Sequence, residues 1–133
     1  MDSTLLTVDT SARTVVDLTG EISRFCASRG DGLVNVFAPH ATAGLALMEV
    51  GSGSEQDLDD ALRRLLPRDD RYLHRHGERG HGADHVLPAL VSPSLSVPVL
   101  DGRLQLGTWQ HVVLVDTNAD NPRRQVRLSF LSG

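Results

Sequence analysis

Lysine is missing from this chain of 133 residues, and cysteine occurs once. All 13 positively charged side chains are arginines, which excludes a Schiff-base lysine and the lysine-containing Walker A loop. The lone Cys26 has no partner for an internal disulfide. A secreted scaffold held together by disulfides is therefore excluded, and a cytoplasmic location is expected.

Long apolar runs and aromatic residues are also scarce. No run approaches the roughly 20 residues that a membrane helix needs, and the first residues lack the basic start and apolar stretch of a signal peptide. We therefore expect no membrane partner. The net charge of −4, with only one tryptophan, one tyrosine and three phenylalanines, also disfavours nucleic-acid binding, which needs a basic face and stacking rings.

The remaining composition is that of an ordinary globular protein, and the length predicts one domain over residues 1–133. β-Branched and apolar runs predict seven or eight strands. An apolar stripe after Thr19 and a capping-box pattern at 54–57 predict two helices, and Asp84 is expected to cap a short helical turn reaching Val91. Strands and helices come in clusters rather than in strict alternation, which favours an α+β fold.

Three local patterns carry more specific predictions. Asp101-Gly102 predicts a type I′ turn between two hairpin strands. Pro88 fits a helix only within its first turn. Trp109 is expected to lie in the hydrophobic core rather than to stack on a ligand.

The six histidines are the most informative polar residues. His40 follows a predicted buried strand in a turn of small residues, and Glu49 ends an apolar strand. His81 and His85 would share one helix face, although Gly82 between them argues against a continuous helix. Imidazoles and carboxylates are metal ligands, so the residues predict a candidate metal site. A structural turn for His40, an exposed strand end for Glu49 and a solvated loop at 68–84 for His76 and His81 remain open alternatives.

Four segments then match one family in order. They are Val36–Gly44 with its Pro-His turn, Met48-Glu49, Ser94–Val99, and Asp101–Leu104 continuing to Gly107-Thr108-Trp109-Gln110. The chain resembles the YjbQ-like family, also called the secondary thiamine-phosphate synthase family, over essentially its whole length. The resemblance implies an α+β domain of packed mixed or antiparallel β layers, with two or three helices on one side.

The resemblance also implies a homotrimer whose polar residues gather in a pocket near a subunit boundary, with a divalent metal. Position by position, it assigns metal-binding roles to His40, Glu49, His74, His85 and Asp116. It assigns catalytic roles to His40, Glu49, Asp57, Trp109 and Gln110. Magnesium would favour the oxygen ligands of Glu49 and Asp57, whereas zinc would favour His40 and His85.

The chain departs from the family pattern around these residues. Met48 stands where the family usually has asparagine, and Ser52-Gly53 replaces an Asp-Pro pair. Leu87 replaces a basic residue, and His111 replaces the glycine after the Trp-Gln pair. Ser52-Gly53 falls in the loop after Glu49, and Leu87 falls at a candidate phosphate contact.

The expected function is a metal-dependent enzyme acting on a small phosphorylated metabolite. The resemblance implies a thiamine-phosphate synthase activity, which joins an aminopyrimidine diphosphate to a thiazole phosphate and releases diphosphate. A metal-assisted hydrolase would use the same residues, with water as the nucleophile. A trimeric metal- or metabolite-binding module without turnover, or a polar cluster that only stabilises the trimer, are the non-enzymatic alternatives.

Overall fold

The computed structural model describes residues 1–74, 77 and 79–133, so His76 lies outside the described residues. Within them the chain forms eight strands and three helices, which confirms the α+β prediction. In chain order they are β1 (Asp2–Asp9), β2 (Val15–Asp17), α1 (Thr19–Cys26), β3 (Gly32–Phe37), β4 (Gly44–Met48), α2 (Ser54–Leu65), α3 (His81–Leu90), β5 (Ser94–Leu100), β6 (Arg103–Leu104), β7 (His111–Val115) and β8 (Arg123–Ser132).

The strands form two antiparallel sheets. The larger has the order β1-β8-β3-β5-β6, and the smaller has the order β2-β7-β4. Buried and exposed residues alternate along β8, so one face of the larger sheet carries its apolar row. Val34, Val126 and Leu128 of this row pack with Val112 and Leu114 of the smaller sheet. The main core therefore lies between the two sheets.

The helices cover the small sheet and one margin of the core. Leu62 of α2 and Leu87 of α3 pack with Val113 and Val115, on the face of β7 that points away from the larger sheet. Burial on both faces explains why β7 reads as an unbroken apolar run. The helix α1 adds its apolar stripe, which includes Ile22, to the core between the sheets. No described helix is long and apolar enough to cross a bilayer.

The Asp101-Gly102 turn joins β5 to β6 as predicted. Asp101 has φ of 51° and Gly102 has φ of 74°, the left-handed pair that a type I′ turn requires. A Cβ atom on Gly102 would lie 2.4 Å from the carbonyl oxygen of Ala27. Glycine is thus needed there both for the turn and for close packing against the end of α1.

The predicted capping box of α2 is wrong. Gly53, with φ of 97°, precedes the helix, and Ser54 is its first residue rather than its cap. The Glu55 carboxylate instead accepts hydrogen bonds of 3.0 and 3.1 Å from the backbone N–H of Gly51. The left-handed glycine turns the chain into the helix, so no hydroxyl cap is required.

The predicted start of α3 is also wrong. The helix begins at His81 after Gly80, whose φ is 86°, so it starts three residues before the expected cap Asp84. Pro88 consequently lies in the last turn rather than the first. The helix ends soon after the proline, where the Val91 N–H bonds to the Leu87 carbonyl. Because Pro88 has no backbone N–H, the helical hydrogen bond to the Asp84 carbonyl is missing there.

A buried ion pair connects the two sheets. Arg124 of β8 donates to both carboxylate oxygens of Asp116, at 2.7 and 3.0 Å, directly after β7. Arg124 is 2% exposed and Asp116 is 3% exposed. The Thr10 hydroxyl and the Asn118 backbone N–H also donate to Asp116, and Arg124 donates to the Thr42 hydroxyl. Both charges are thus paired, with three hydrogen bonds from Arg124 and four to Asp116, as burial demands.

Replacing Asp116 with alanine should lower the free energy of unfolding by about 3–5 kcal/mol, because the Arg124 guanidinium would remain buried without its counter-charge. Urea denaturation measures this loss. The exposed neighbour Arg123 provides the control, since Arg123→Ala should change stability by no more than about 0.5 kcal/mol. A cost for Asp116→Ala close to that of the control would show that the ion pair does not support the fold.

Candidate functional site

Three imidazole rings meet at the start of α3. His74, His81 and His85 each offer one ring nitrogen, and these three nitrogens lie within 4.8 Å of one another. The Nε2 atoms of His81 and His85 are 2.9 Å apart, and the rings of His74 and His85 stack with their centroids 3.9 Å apart. All three side chains are half-buried. We call this group the histidine cluster.

The helix and one glycine bring the histidine cluster together. The helix α3 places His81 and His85 one turn apart on the same face. His74 reaches them from the preceding loop, which crosses the helix directly over Gly82. A Cβ atom on Gly82 would lie 2.5 Å from the Tyr72 Cβ and 2.6 Å from the His74 carbonyl oxygen. The expectation that Gly82 interrupts the helix is therefore wrong, because the glycine makes room for the crossing loop.

Buried hydrogen bonds hold this loop against α3. Asp84 is 1% exposed and accepts two hydrogen bonds from Arg68, at 2.6 and 3.0 Å. The hydrogen bond to Asp84 raises the pKa of Arg68 above its usual value. The Thr117 hydroxyl also donates to Asp84, and the Tyr72 hydroxyl donates to the Pro67 carbonyl. The cluster is thus positioned by charged and polar contacts beneath it.

A carboxylate lies beside one ring of the histidine cluster. An oxygen of Asp120 is 2.7 Å from His81 Nδ1. A carboxylate next to Nδ1 favours the tautomer that carries its hydrogen there, which leaves a lone pair on Nε2. This Nε2 is the atom that lies close to His85.

A cavity of about 230 Å³ opens beside the histidine cluster. Its lining includes His74, His81 and the charged side chains of Asp69, Asp70 and Arg79. Arg71 donates to both Asp69 oxygens at 2.8 Å, and these hydrogen bonds lower the pKa of Asp69 below its usual value. The cavity can therefore admit a small polar molecule next to the imidazoles.

The donor atoms of the histidine cluster fit a transition metal better than magnesium. Neutral imidazole is a common ligand of zinc, whereas magnesium requires oxygen ligands. Two nitrogens that bind one tetrahedral zinc at their usual bond lengths are roughly 3.3 Å apart. The 2.9 Å between His81 Nε2 and His85 Nε2 is close to that separation.

The comparisons with known proteins give one family. A family model described as "UPF0047 protein YjbQ-like" matches residues 4–133. The chain belongs to the YjbQ-like UPF0047 family. The resemblance drawn from the sequence is thereby confirmed.

Relatives and solved structures of the YjbQ-like family match nearly the whole chain. The UPF0047 protein Rv2556c of Mycobacterium tuberculosis is 62% identical over 133 residues, covering 100% of both chains. A UPF0047 protein of Archaeoglobus fulgidus is 33% identical over 91% of this chain and 95% of its own. The crystal structure of the hypothetical protein APE1520 from Aeropyrum pernix K1 has a TM-score of 0.89 at 30% identity, with 100% of both chains covered.

The residues predicted for the site do not all lie together in the YjbQ-like chain. Among the predicted metal ligands, His74 and His85 do meet, and His81 joins them. In the described part of the chain, His40, Glu49 and Asp116 do not belong to the histidine cluster. The solvated-loop alternative for His81 does not hold, because His81 begins α3, and its contact with Asp120 was not predicted. The i, i+4 spacing of the two helix histidines was the signal that the sequence offered.

His40 and Asp116 already make hydrogen bonds that support the fold. The Nε2 atom of His40 accepts a 2.9 Å hydrogen bond from the Gln125 backbone N–H. Both oxygens of Asp116 are occupied by the network around Arg124, as described above. A metal ion at the Asp116 carboxylate, or at Nε2 of His40, would have to displace these partners. The structural-turn alternative for His40 agrees with this geometry.

The remaining predicted catalytic residues lie elsewhere on the surface. Met48 pairs with His111 at one end of the small sheet and Gly44 with Val115 at the other, which separates the two ends by about 13 Å. Glu49 and Gln110 flank the Met48 end, and Asp116 follows the opposite end. Asp57 is exposed in the first turn of α2.

Trp109 is not a core residue in the YjbQ-like chain. Its side chain is 71% exposed, in the loop that precedes β7. The adjacent Gln110 uses its side-chain oxygen to accept from the Gly107 backbone N–H at 2.8 Å, which closes a tight turn. This turn lies in the connection between two strands, and the indole ring of Trp109 lies outside the core. The core prediction for Trp109 is therefore wrong.

Replacing Gly82 with alanine should destabilise the protein by about 1–3 kcal/mol, because the added methyl group overlaps Tyr72 and the His74 carbonyl. This loss runs against the higher helix propensity of alanine. The matched control is Gly20→Ala in α1, where a Cβ atom would meet only Arg24 Nη1, at an ordinary 3.6 Å. That control should gain up to about 1 kcal/mol. Equal effects of the two substitutions in thermal or urea unfolding would contradict the role assigned to Gly82.

His40 should make stability depend on pH. Burial first, and then the positive charge of Arg124, lower the pKa of His40 from its ordinary value of 6.5. Below about pH 6.5 the unfolded chain therefore binds more protons at this ring than the folded chain, so the free energy of unfolding falls as the pH falls. Between about pH 7 and pH 5, wild type should lose more stability than His40→Gln. Parallel pH profiles of the two proteins would refute this linkage.

Proposed function

We propose that the YjbQ-like chain is a zinc-dependent enzyme that acts on a small phosphorylated metabolite, with the metal held by His74, His81 and His85. The observation that carries the proposal is the convergence of three imidazole nitrogens within 4.8 Å. Three protein ligands leave the fourth position of a tetrahedral zinc open, which is the arrangement of catalytic rather than structural zinc sites. The nearby Asp120 carboxylate supports it, because metal-binding histidines are commonly oriented in this way.

The magnesium alternative receives less support. It would rely on the carboxylates of Glu49 and Asp57, which are both exposed. Among the described residues, neither belongs to a group of three possible ligands. Magnesium is bound through oxygen atoms in near-octahedral geometry, and the histidine cluster supplies none. We therefore favour zinc as the resident metal.

The charged lining of the adjacent cavity supports a phosphorylated substrate. Arg79 lies next to His81 in this lining and offers guanidinium donors for phosphate oxygens. In a chain without lysine, arginine is the residue that must provide such contacts. A bound zinc ion would neutralise negative charge on a diphosphate leaving group. Loss of the basic family residue at Leu87 is consistent with placing the phosphate contact at Arg79, since Leu87 is buried in the core.

The reaction that we propose is the one implied by the family resemblance. The thiazole-phosphate nitrogen would form a bond to the methylene carbon of the aminopyrimidine diphosphate, and the bond from that carbon to diphosphate would break. Arg79 would bind the departing diphosphate. The half-buried imidazoles and the loop crossing Gly82 would restrict water at the reacting atoms. Hydrolysis of a phosphorylated metabolite, with water as the nucleophile, is the alternative within the same site.

We further propose that the chain works as a homotrimer and that Glu49, Trp109 and Gln110 act at a subunit boundary. Trp109 is 71% exposed, which is unusual for the largest aromatic side chain of a small domain. Exposed tryptophan is enriched at protein interfaces. Because these residues lie at the far end of the small sheet from Asp116, their joining a site with the histidine cluster would require a neighbouring subunit.

The test is metal analysis of protein purified without added metal, followed by an assay with the two thiamine-phosphate precursors. Wild type should retain about one zinc per chain and form product, and His85→Ala should lose both. His111→Ala is the matched control. Its histidine contacts Asp17 at 3.0 Å, outside the histidine cluster, so it should keep its zinc.

Each outcome of this test discriminates between the functions. Zinc content that is equally low in wild type and His85→Ala would overturn the metal assignment. Bound zinc without turnover of either precursor would favour the non-enzymatic binding module. Release of inorganic phosphate without coupling would favour the hydrolase.

A further inference from the structure

A second cavity lies between the loop joining β1 to β2 and the first two turns of α2. Its volume is about 450 Å³, compared with about 230 Å³ beside the histidine cluster. Small-molecule sites commonly measure about 300–1,000 Å³. The lining consists of Ala12, Arg13, Thr14, Val15, Glu55, Gln56 and Asp59. None of these residues has a role in the fold core or the proposed activity except Val15.

The helix wall of this cavity presents two oriented carboxylates. Glu55 and Asp59 are four residues apart and therefore share one face of α2. The backbone N–H of Gly51 holds the Glu55 carboxylate at 3.0 and 3.1 Å. Arg63 donates to one oxygen of Asp59 at 3.1 Å. Both acidic groups are thus fixed by contacts behind the cavity rather than by each other.

The second oxygen of Asp59 lacks a donor. Asp59 Oδ1 is buried, and among the described residues no hydrogen-bond donor reaches it. A buried carboxylate oxygen without a donor costs free energy that a bound N–H group would recover. Asp59 lines the cavity, and rotation about the soft terminal torsion of aspartate would turn this oxygen towards a ligand there.

The loop wall presents the opposite charge. Arg13 is the one cationic side chain in the lining of this cavity, and it is exposed. The hydrogen bonds of Glu55 are the larger cause of its lowered pKa, but the charge of Arg13 adds to them from across the cavity. The carbonyl of Thr14 accepts a 2.8 Å hydrogen bond from the Asp116 backbone N–H. The loop that carries Arg13 is thereby tied to the buried ion pair.

We propose that this cavity binds a small zwitterionic metabolite, with its ammonium group against Glu55 and Asp59 and its anionic group against Arg13. A ligand of one charge sign would satisfy only one wall and face like charge on the other. A zwitterion compensates both walls and supplies the N–H donor for Asp59 Oδ1. The anionic group is a carboxylate or a phosphate, since a guanidinium binds either.

The proposal can be tested by titrating isotope-labelled wild-type protein with four probes and recording backbone amide shifts. The probes are γ-aminobutyrate and phosphoethanolamine, which carry both charges, and butylamine and butyrate, which carry one each. At least one zwitterion should bind with millimolar or better affinity and shift amides in the 12–15 and 55–59 segments. Which zwitterion binds more tightly distinguishes a carboxylate ligand from a phosphate ligand.

Three variants locate the binding site. Arg13→Gln and Asp59→Asn should each weaken binding of the zwitterion by about tenfold or more, as expected for loss of a charged hydrogen bond. Arg64→Gln is the control, because this arginine is on α2 but outside the cavity lining. Absence of binding by both zwitterions, equally tight binding of butylamine or butyrate, or equal weakening by Arg64→Gln would overturn the proposal.

Discussion

The buried pair between Arg124 and Asp116 is the interaction on which the arrangement of this molecule depends. It joins the interior β8 strand of the larger sheet to the end of β7 in the smaller sheet, and it also fixes Thr10 and Thr42. The residues that follow Asp116 continue the connection, because Thr117 donates to Asp84 and Asp120 lies against His81. One short loop thus links a structural ion pair to the candidate metal ligands.

The contacts around the histidine cluster explain how a largely polar segment of the chain holds three imidazoles in place. Its first two histidines come from one helix face, and the third comes from a loop held by the Arg68–Asp84 ion pair. The buried hydrogen bonds around Asp84 orient the three histidines. The residues that would touch a ligand are therefore different from the residues that hold those side chains in position.

Much of the fold could be predicted from the sequence because it follows from local patterns. The strand periods, the apolar stripe of α1 and the left-handed Asp101-Gly102 turn are each encoded within a few residues. The errors at Gly82 and Trp109 have another origin. The benefit of Gly82 depends on a loop that crosses the helix ten residues away, and the exposure of Trp109 depends on how the small sheet ends. Such contacts between distant segments leave no periodic trace in a single sequence.

The candidate site was only half predicted for the same reason. The family resemblance supplied His74 and His85, and the helical spacing supplied a hint of His81, but the hydrogen bonds that occupy His40 and Asp116 could not be inferred. A polar residue in an apolar setting signals that it has a partner without saying which partner it is. Asp116 pairs with Arg124, eight positions further along the chain, and His40 accepts a hydrogen bond from the backbone N–H of Gln125.

The position of β8 has a consequence for how the chain acquires its shape during synthesis. This strand is the last of the described strands in chain order, yet it pairs with both β1 and β3 in the interior of the larger sheet. The first strand therefore has no described neighbour to pair with until all the other described strands have been synthesised. Nascent chains that stop before β8 would expose two unsatisfied strand edges, so premature termination should yield insoluble fragments rather than shortened functional proteins.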